Sequence, residues 1–276
     1  MKISFINYII LISLMLFIFS CSNDSKIKTE EQLEHEMVLK HRIKKITEFM
    51  PSIVFGAEQK EQVSNLRFFD EKGFKKKEIS YFDGSIENIV TYEYDKAGNL
   101  IIENGIRSDS SFLYKITRSY YENNLRKELY FYLPDGSYKY RNLATYDKSG
   151  KMIELKYYWP DGLKAINKYQ YKGNRKIEDT EYAPNGDFRY NWIYKYDNRD
   201  NLIEAVQYYP DSIINRKITY EYDAGKLLIK QRNYFGESVQ NIFLFTYDDK
   251  KLVSSKIEVS AAGMISAKYR YEYEFY

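Results

Sequence analysis

A tyrosine followed by a polar, usually acidic residue returns along most of this chain at a nearly fixed interval. The pairs are Tyr94-Asp95, Tyr121-Glu122, Tyr146-Asp147, Tyr171-Lys172, Tyr196-Asp197, Tyr222-Asp223, Tyr247-Asp248 and Tyr273-Glu274, with Phe69-Asp70 as an earlier copy. From Asp70 to Glu274 the steps are 25, 27, 25, 25, 25, 26, 25 and 26 residues. Self-similarity at this period signals a repeat architecture, in which no unit has a core of its own and each depends on its neighbours.

Each unit reads as two strands and two turns. Before the marker, Ile218, Tyr220 and Tyr222 alternate with Thr219, Glu221 and Asp223, and Tyr269, Tyr271 and Tyr273 alternate with Arg270, Glu272 and Glu274. A period of two with rings on one side describes a half-buried strand. Turn residues follow the marker, as in Lys96-Ala97-Gly98-Asn99. A second strand comes next, as in residues 153–159, and then a second turn at Asp83-Gly84, Asp135-Gly136, Asp161-Gly162 or Asn185-Gly186. These dipeptides are strong hairpin signals. Second strands such as Leu202-Ile203-Glu204-Ala205-Val206-Gln207 are apolar on both sides. Either both faces are partly covered there or the sheet curls on itself. The fold expected is mostly β, an antiparallel hairpin array forming an extended or curved single-layer meander, with one N-terminal helix. About eight two-strand units at ~4.8 Å per strand give a contour of roughly 75 Å.

The N-terminus reads as a targeting segment. Lys2 precedes an apolar run from Tyr8 to Phe19, too short to span a bilayer comfortably. It ends in Ile18-Phe19-Ser20-Cys21, which resembles the lipobox of bacterial lipoproteins. That resemblance implies a signal peptide over 1–20, cleavage before Cys21 and acylation of Cys21, with attachment to the membrane through the lipid. Cys21 is the one cysteine of the chain. Ser22, where an inner-membrane retention signal would place Asp, leans towards the outer membrane. Residues 21–29 form a polar tether. Thr29-Glu30-Glu31-Gln32 is a helix start, and the spacing of Leu39, Ile43, Ile46 and Met50 extends a helix over 30–50, read as a cap over the first sheet edge. The repeat domain covers 66–276.

Tyr94-Asp95-Lys96-Ala97-Gly98-Asn99-Leu100 resembles the YD repeat of RHS-type proteins, and Tyr146-Asp147-Lys148-Ser149-Gly150-Lys151-Met152 is nearly as close. Tyr132-Leu133-Pro134-Asp135-Gly136 is similar to the hairpins of MORN-type repeats. The RHS resemblance implies a β-sheet shell and, as one functional alternative, association with a toxin system.

A search for chemistry finds little. His35 and His41 are the only histidines, six apart on different helix faces, and read as exposed residues rather than ligands. No phosphate loop or nucleophile elbow occurs. The marker acids Asp95, Asp147, Asp197, Asp223 and Asp248 read as turn formers, because Lys172 fills the same slot without disturbing the spacing. With 42 basic and 39 acidic residues, the chain has no global field for nucleic acid. The expectation is a non-enzymatic binding or scaffold lipoprotein of the bacterial cell envelope, without cofactor, metal or catalytic residues. Its surface would come from Trp159, Trp192, Tyr169, Tyr194 and Tyr220, for a protein partner or a glycan, including peptidoglycan. Aromatic rings give large contact area at low entropy cost.

Overall fold

The computed structural model describes residues 30–51 and 60–276. A helix, α1 (Glu30–His41), precedes eighteen strands: β1 (Ile43–Pro51), β2 (Glu61–Phe69), β3 (Lys75–Phe82), β4 (Ser85–Tyr94), β5 (Leu100–Arg107), β6 (Phe112–Tyr120), β7 (Arg126–Tyr132), β8 (Tyr138–Tyr146), β9 (Met152–Trp159), β10 (Gly162–Lys172), β11 (Arg175–Tyr182), β12 (Phe188–Tyr196), β13 (Leu202–Tyr208), β14 (Ile214–Tyr222), β15 (Leu228–Phe235), β16 (Ser238–Tyr247), β17 (Val253–Ser260) and β18 (Ile265–Phe275). Each strand pairs antiparallel with the next, and β1 pairs with both β2 and β18. The sheet is therefore a closed 18-stranded barrel, not the open meander expected from the sequence. At ~4.8 Å per strand its perimeter is roughly 86 Å.

Closure has a local cause. The register shifts by one residue at most marker aromatics, for example between Glu93 and Tyr94, Thr145 and Tyr146, Lys195 and Tyr196, and Glu221 and Tyr222. Most hairpins at the other end carry a matching shift, as between Phe131 and Tyr132 and between Gln207 and Tyr208. A bulge bends its strand and increases the local twist. Repeated at both ends of the strands, it coils a meander until its edges meet.

The marker explains itself once the turns are seen. Asp95 Oδ1 accepts from the backbone N–H groups of Ala97 and Asn99, Asp147 Oδ1 from those of Ser149 and Lys151, and Asp197 Oδ1 from those of Arg199 and Asn201. Three residues after the acid the backbone has positive φ, as at Gly98 (85°), Gly150 (85°), Asp200 (70°) and Lys226 (67°). The acid is turn chemistry. The tyrosine joins one repeat to the next, because its hydroxyl donates to a backbone carbonyl in the preceding repeat; in the unit marked at Tyr121-Glu122 this place is taken by Tyr120, and Tyr121 stands in the slot of the acid. Tyr120 reaches Leu100 at 2.7 Å, while Tyr146 reaches Arg126, Tyr171 Met152, Tyr196 Lys176, Tyr222 Leu202, Tyr247 Leu228 and Tyr273 Val253, all at 2.8 Å. The ladder crosses the closing seam, where Tyr276 Oη donates to the Phe69 carbonyl at 2.6 Å.

Residues 43–51 are a strand, so the helix expected over 30–50 ends at His41. Arg42 takes φ 54° and stops it; the β-branched residues Ile46 and Thr47 then pair on both sides and Ile43 with β18. Long-range pairing overrides the helical spacing of the apolar residues. The helix is no cap over an edge, since β1 has none. It lies instead against the inner face at the marker-turn end. Val38 of α1 packs with Ile43, Ile46, Phe69, Leu252 and Tyr271. Glu34, on the same helix, meets Arg67 at 3.0 Å and Lys75 at 3.4 Å, while Glu31 lies 3.8 Å from Arg118. His35 stacks on Phe74, centroids 4.4 Å apart, and is packed rather than exposed.

The helix identifies the two faces of the wall. Residues paired directly across strands share a face. The helix-side face carries Arg67, Glu78, Tyr92, Glu103, Arg118 and Tyr271. The opposite face carries charges at mid-strand: Lys115, Glu128, Arg141, Lys156, Lys168, Glu178, Lys195, Glu204, Lys217, Lys230, Arg232 and Arg270. Many of these pair along the wall, as Lys195 does with Glu204 at 2.7 Å. Membrane-spanning barrels present an apolar band about 25 Å tall to lipid; this outer wall carries charges there on β6 to β15 and β18, and apolar residues on β2 to β5 (Leu66, Ile79, Ile89, Ile106) and on β16 and β17 (Ile242, Leu244, Ile257). No described helix is long and apolar enough to cross a membrane.

Candidate binding surface

Four of the five aromatic residues singled out from the sequence come together, and they do so on the inner face. Trp192 of β12 stands opposite Asp179 of β11 and Gln207 of β13. Tyr169 of β10 stands opposite Asp179 from the other side. Tyr194 is two residues beyond Trp192 and opposite Ala205, and Tyr220 of β14 is opposite Gln231. The row Tyr169, Asp179, Trp192, Gln207, Arg216 thus crosses five adjacent strands. The rings of Tyr169, Trp192, Tyr194 and Tyr220 are all half-buried. A single-layer sheet would have set such rings on an open face. Closure makes the face concave.

The row contains charge: Arg216 at its β14 end is exposed, and Asp179 is paired with Lys176. Lys176 Nζ sits 4.6 Å from the Tyr194 ring centre, 5.4 Å from that of Tyr169 and 3.6 Å from Asp179 Oδ2. Burial pulls the Lys176 ammonium below its ordinary range, and Asp179 only partly restores it. Asn167 Nδ2 donates to Asp179 Oδ1 at 3.2 Å. Burial also raises the phenols of Tyr169 and Tyr194, with nearby Asp179 adding to the effect, and pushes Tyr157 and Tyr220 up to about 12. These phenols stay neutral and can donate or accept. Two buried acceptors on this wall, Asn142 Oδ1 and Asn167 Oδ1, have no hydrogen-bond partner.

Trp159 is elsewhere. It lies at the end of β9, 54% exposed, on the rim away from the helix, with Lys164 Nζ 5.6 Å from its ring. Phe82, Ile213, Phe235, Met264 and Ile265 are exposed at the same rim. The structure does not bring Trp159 together with the other four. Replacing Trp159 by Phe should leave stability within about 0.5 kcal/mol, the usual range for exposed positions; a denaturant titration beside the unaltered protein checks this.

Asp179, Lys176, Gln207, Asn142 and Asn167 are not singled out by the sequence. Only strand alternation with Trp192 and Tyr169 could have placed them, and that needs the register across the bulges. Among the described residues no three His, Cys, Asp or Glu side chains gather as a metal site. Cys21 and the tether over 21–29 lie outside the described residues.

No family model matches the chain, and no curated protein matches it. Among solved structures it is similar to a porin-like protein from Bacteroides uniformis, at 13% identity and a TM-score of 0.49, covering 85% of this chain and 97% of that one. A porin-like protein from Bacteroides vulgatus gives 12% identity and a TM-score of 0.41, covering 84% and 98%. The TcdB2-TccC3-Cdc42 structure gives 12% identity and a TM-score of 0.32, covering 80% of this chain and 19% of that one. These values describe overall resemblance and assign no activity to this chain.

Proposed function

We propose that this protein is a lipid-anchored, non-enzymatic binding module of the bacterial cell envelope, and that it binds with the inside of its barrel. The observation that carries the reading is the row of half-buried rings at Tyr169, Trp192, Tyr194 and Tyr220 on the concave face. Binding sites are concave and mostly aromatic or apolar, with a few placed polar groups; Asp179, Lys176 and Gln207 are such groups here. Barrels of 16–18 strands leave room for water inside. The outer-face charges of β6 to β15 and β18 suit water, so attachment is assigned to Cys21 and its acyl chains, with the outer membrane the favoured site. A single acyl chain holds a protein only marginally, whereas two or more anchor it stably.

Cys21→Ala is expected to move the protein from the membrane pellet to the soluble fraction and to abolish incorporation of labelled fatty acid. A wild type that takes up no label, with a variant that still pellets, would overturn the anchor. The binding half is tested by quenching. In a Trp159→Phe background Trp192 is the sole tryptophan, and acrylamide should reach it. Trp192 fluorescence as shielded as in a solid core would mean that the inner face is closed to ligands.

A further inference from the structure

We propose that the ligand of this inner wall is an uncharged, hydroxyl-rich chain, an oligosaccharide, lying across β10 to β14. The proposal rests on the interior-binding reading above and names its ligand class.

Three features of the wall select this chemistry. The first is the row itself. Tyr169, Asp179, Trp192 and Gln207 alternate ring, carboxylate, ring and amide on successive strands. From β10 to β14 the row spans about 19 Å, four strand spacings. Flat rings cover the apolar faces of a sugar, and carboxylate and amide groups between them take its hydroxyls. A peptide bound by strand addition would instead need an unpaired strand edge, and the closed barrel offers none among its described strands.

The second feature is charge. The Lys176 ammonium is engaged by Asp179 at 3.6 Å and by the faces of Tyr194 and Tyr169. Glu181, two residues beyond Asp179, accepts from the Tyr190 hydroxyl at 2.5 Å and pairs with Arg189 at 3.0 Å. Lys176, Asp179, Glu181 and Arg189 thus have their counter-charges within the wall, so little field remains over β10 to β12; Arg216, at the β14 end of the row, is exposed and stands outside these pairs.

The third is a pair of buried acceptors at the β10 end of the row, Asn167 on β10 itself and Asn142 on β8, two strands beyond it. Asn142 and Asn167 are 6% and 8% exposed, and the side-chain oxygen of each has no donor. Tyr157 stands opposite Asn142 and packs beside this row. Burying an acceptor without a donor costs about 1–3 kcal/mol. Ligand hydroxyls supply donors once the neighbouring rings restack on the sugar. Entry is from the rim that carries Trp159, because α1 lies at the other mouth.

The test uses the full chain in detergent micelles with Trp159→Phe, reading Trp192 fluorescence. The probes are the neutral hexasaccharides of N-acetylglucosamine, β-1,4-glucose and α-1,4-glucose, with a neutral decapeptide and a sulfated polysaccharide alongside. At least one hexasaccharide should shift the emission saturably. Tyr169→Ala and Asp179→Asn should each weaken that binding about tenfold, the loss of roughly one stacking or charge-assisted contact. Lys195→Ala, on the outer wall, should leave it unchanged. A shift with the peptide or the sulfated chain alone would refute the ligand class and leave interior binding standing. No shift with any probe, with Trp192 open to acrylamide, would also refute the class. No shift together with a shielded Trp192 would remove both readings.

Discussion

Tyr196→Ala is expected to destabilise the barrel by about 3–5 kcal/mol, the range for truncating a large packed aromatic. The residue sits at a bulge in mid-array, and its hydroxyl holds the Lys176 carbonyl at 2.8 Å. Tyr196→Phe separates the two contributions. It keeps the ring and removes one hydrogen bond, so the cost should fall to about 1–3 kcal/mol, chiefly that of an orphaned carbonyl. The same pair of substitutions at Tyr146 and Tyr222 should behave alike, since their hydroxyls make the same bond at the same length. Tyr276 marks the difference between an open array and a closed one. In an open meander it would be a terminal residue with little to lose. Here it bonds Phe69 across the seam, so Tyr276→Phe should carry a measurable cost of about 1 kcal/mol. Urea titrations followed by far-UV circular dichroism give all of these values.

Arg67→Ala is the second large effect, at about 3–5 kcal/mol. Arg67 is buried on the inner face between Glu34 of the helix, at 3.0 Å, and Glu78 of the neighbouring strand, opposite it in register. Burial alone would lower its pKa; Glu34 and Glu78 outweigh that and raise it. Removing the guanidinium leaves two acids near each other with Lys75, 3.4 Å from Glu34 and 3.3 Å from Glu78, as their remaining partner. Glu78 also gives the cluster a pH dependence. Burial favours its neutral form, but Lys75 and Arg67, with hydrogen bonds from Asn65 and Tyr92, hold its carboxyl below the ordinary 4.5. A depressed acid stabilises the fold fully above its unfolded value and loses that contribution as pH falls through the folded value. Wild-type stability should therefore drop as pH is lowered below about 4.5, and Glu78→Gln should flatten that drop while lowering stability at neutral pH. A drop of equal steepness in Glu78→Gln would assign the acid sensitivity to other groups.

Much of the local structure is legible in the chain because its causes are local. Asp95, Asp147 and Asp197 form turns with backbone groups two and four residues on, so the sequence window contains both partners. The alternation around Tyr220 and Tyr271 needs no partner to be read. Closure is different. It arises from one-residue register shifts summed over eighteen strands; the marker shows where a shift such as that at Tyr94 falls, but not that the register slips there. The strand at Ile43–Pro51 is hidden for the same reason. Its partners in β18 lie far along the chain, and alone its spacing of Leu39, Ile43, Ile46 and Met50 fits a helix. For the candidate surface, the residue types at Trp192, Tyr169, Tyr194 and Tyr220 are informative. Their concave setting and their neighbours Asp179 and Lys176 are not readable without the register. Trp159 shows the limit of residue type alone, since the same side chain at a hairpin end lands on the rim.

The first and last strands of this chain are neighbours, and the closed barrel stands or falls on that pairing. Thr47 and Glu272 stand directly opposite each other across the β1–β18 seam, on the outer face. Cross-strand Cβ atoms lie about 4.5–5.5 Å apart, closest in non-hydrogen-bonded pairs, within small backbone adjustment of a disulfide. In a Cys21→Ser background the chain has no other thiol, so Thr47→Cys with Glu272→Cys gives an unambiguous readout. Mild oxidation of the folded double variant should close a loop over most of the chain and shift its mobility on a non-reducing denaturing gel, reversibly with reductant. A folded double variant that keeps two free thiols, or links only between molecules, would contradict the closed barrel.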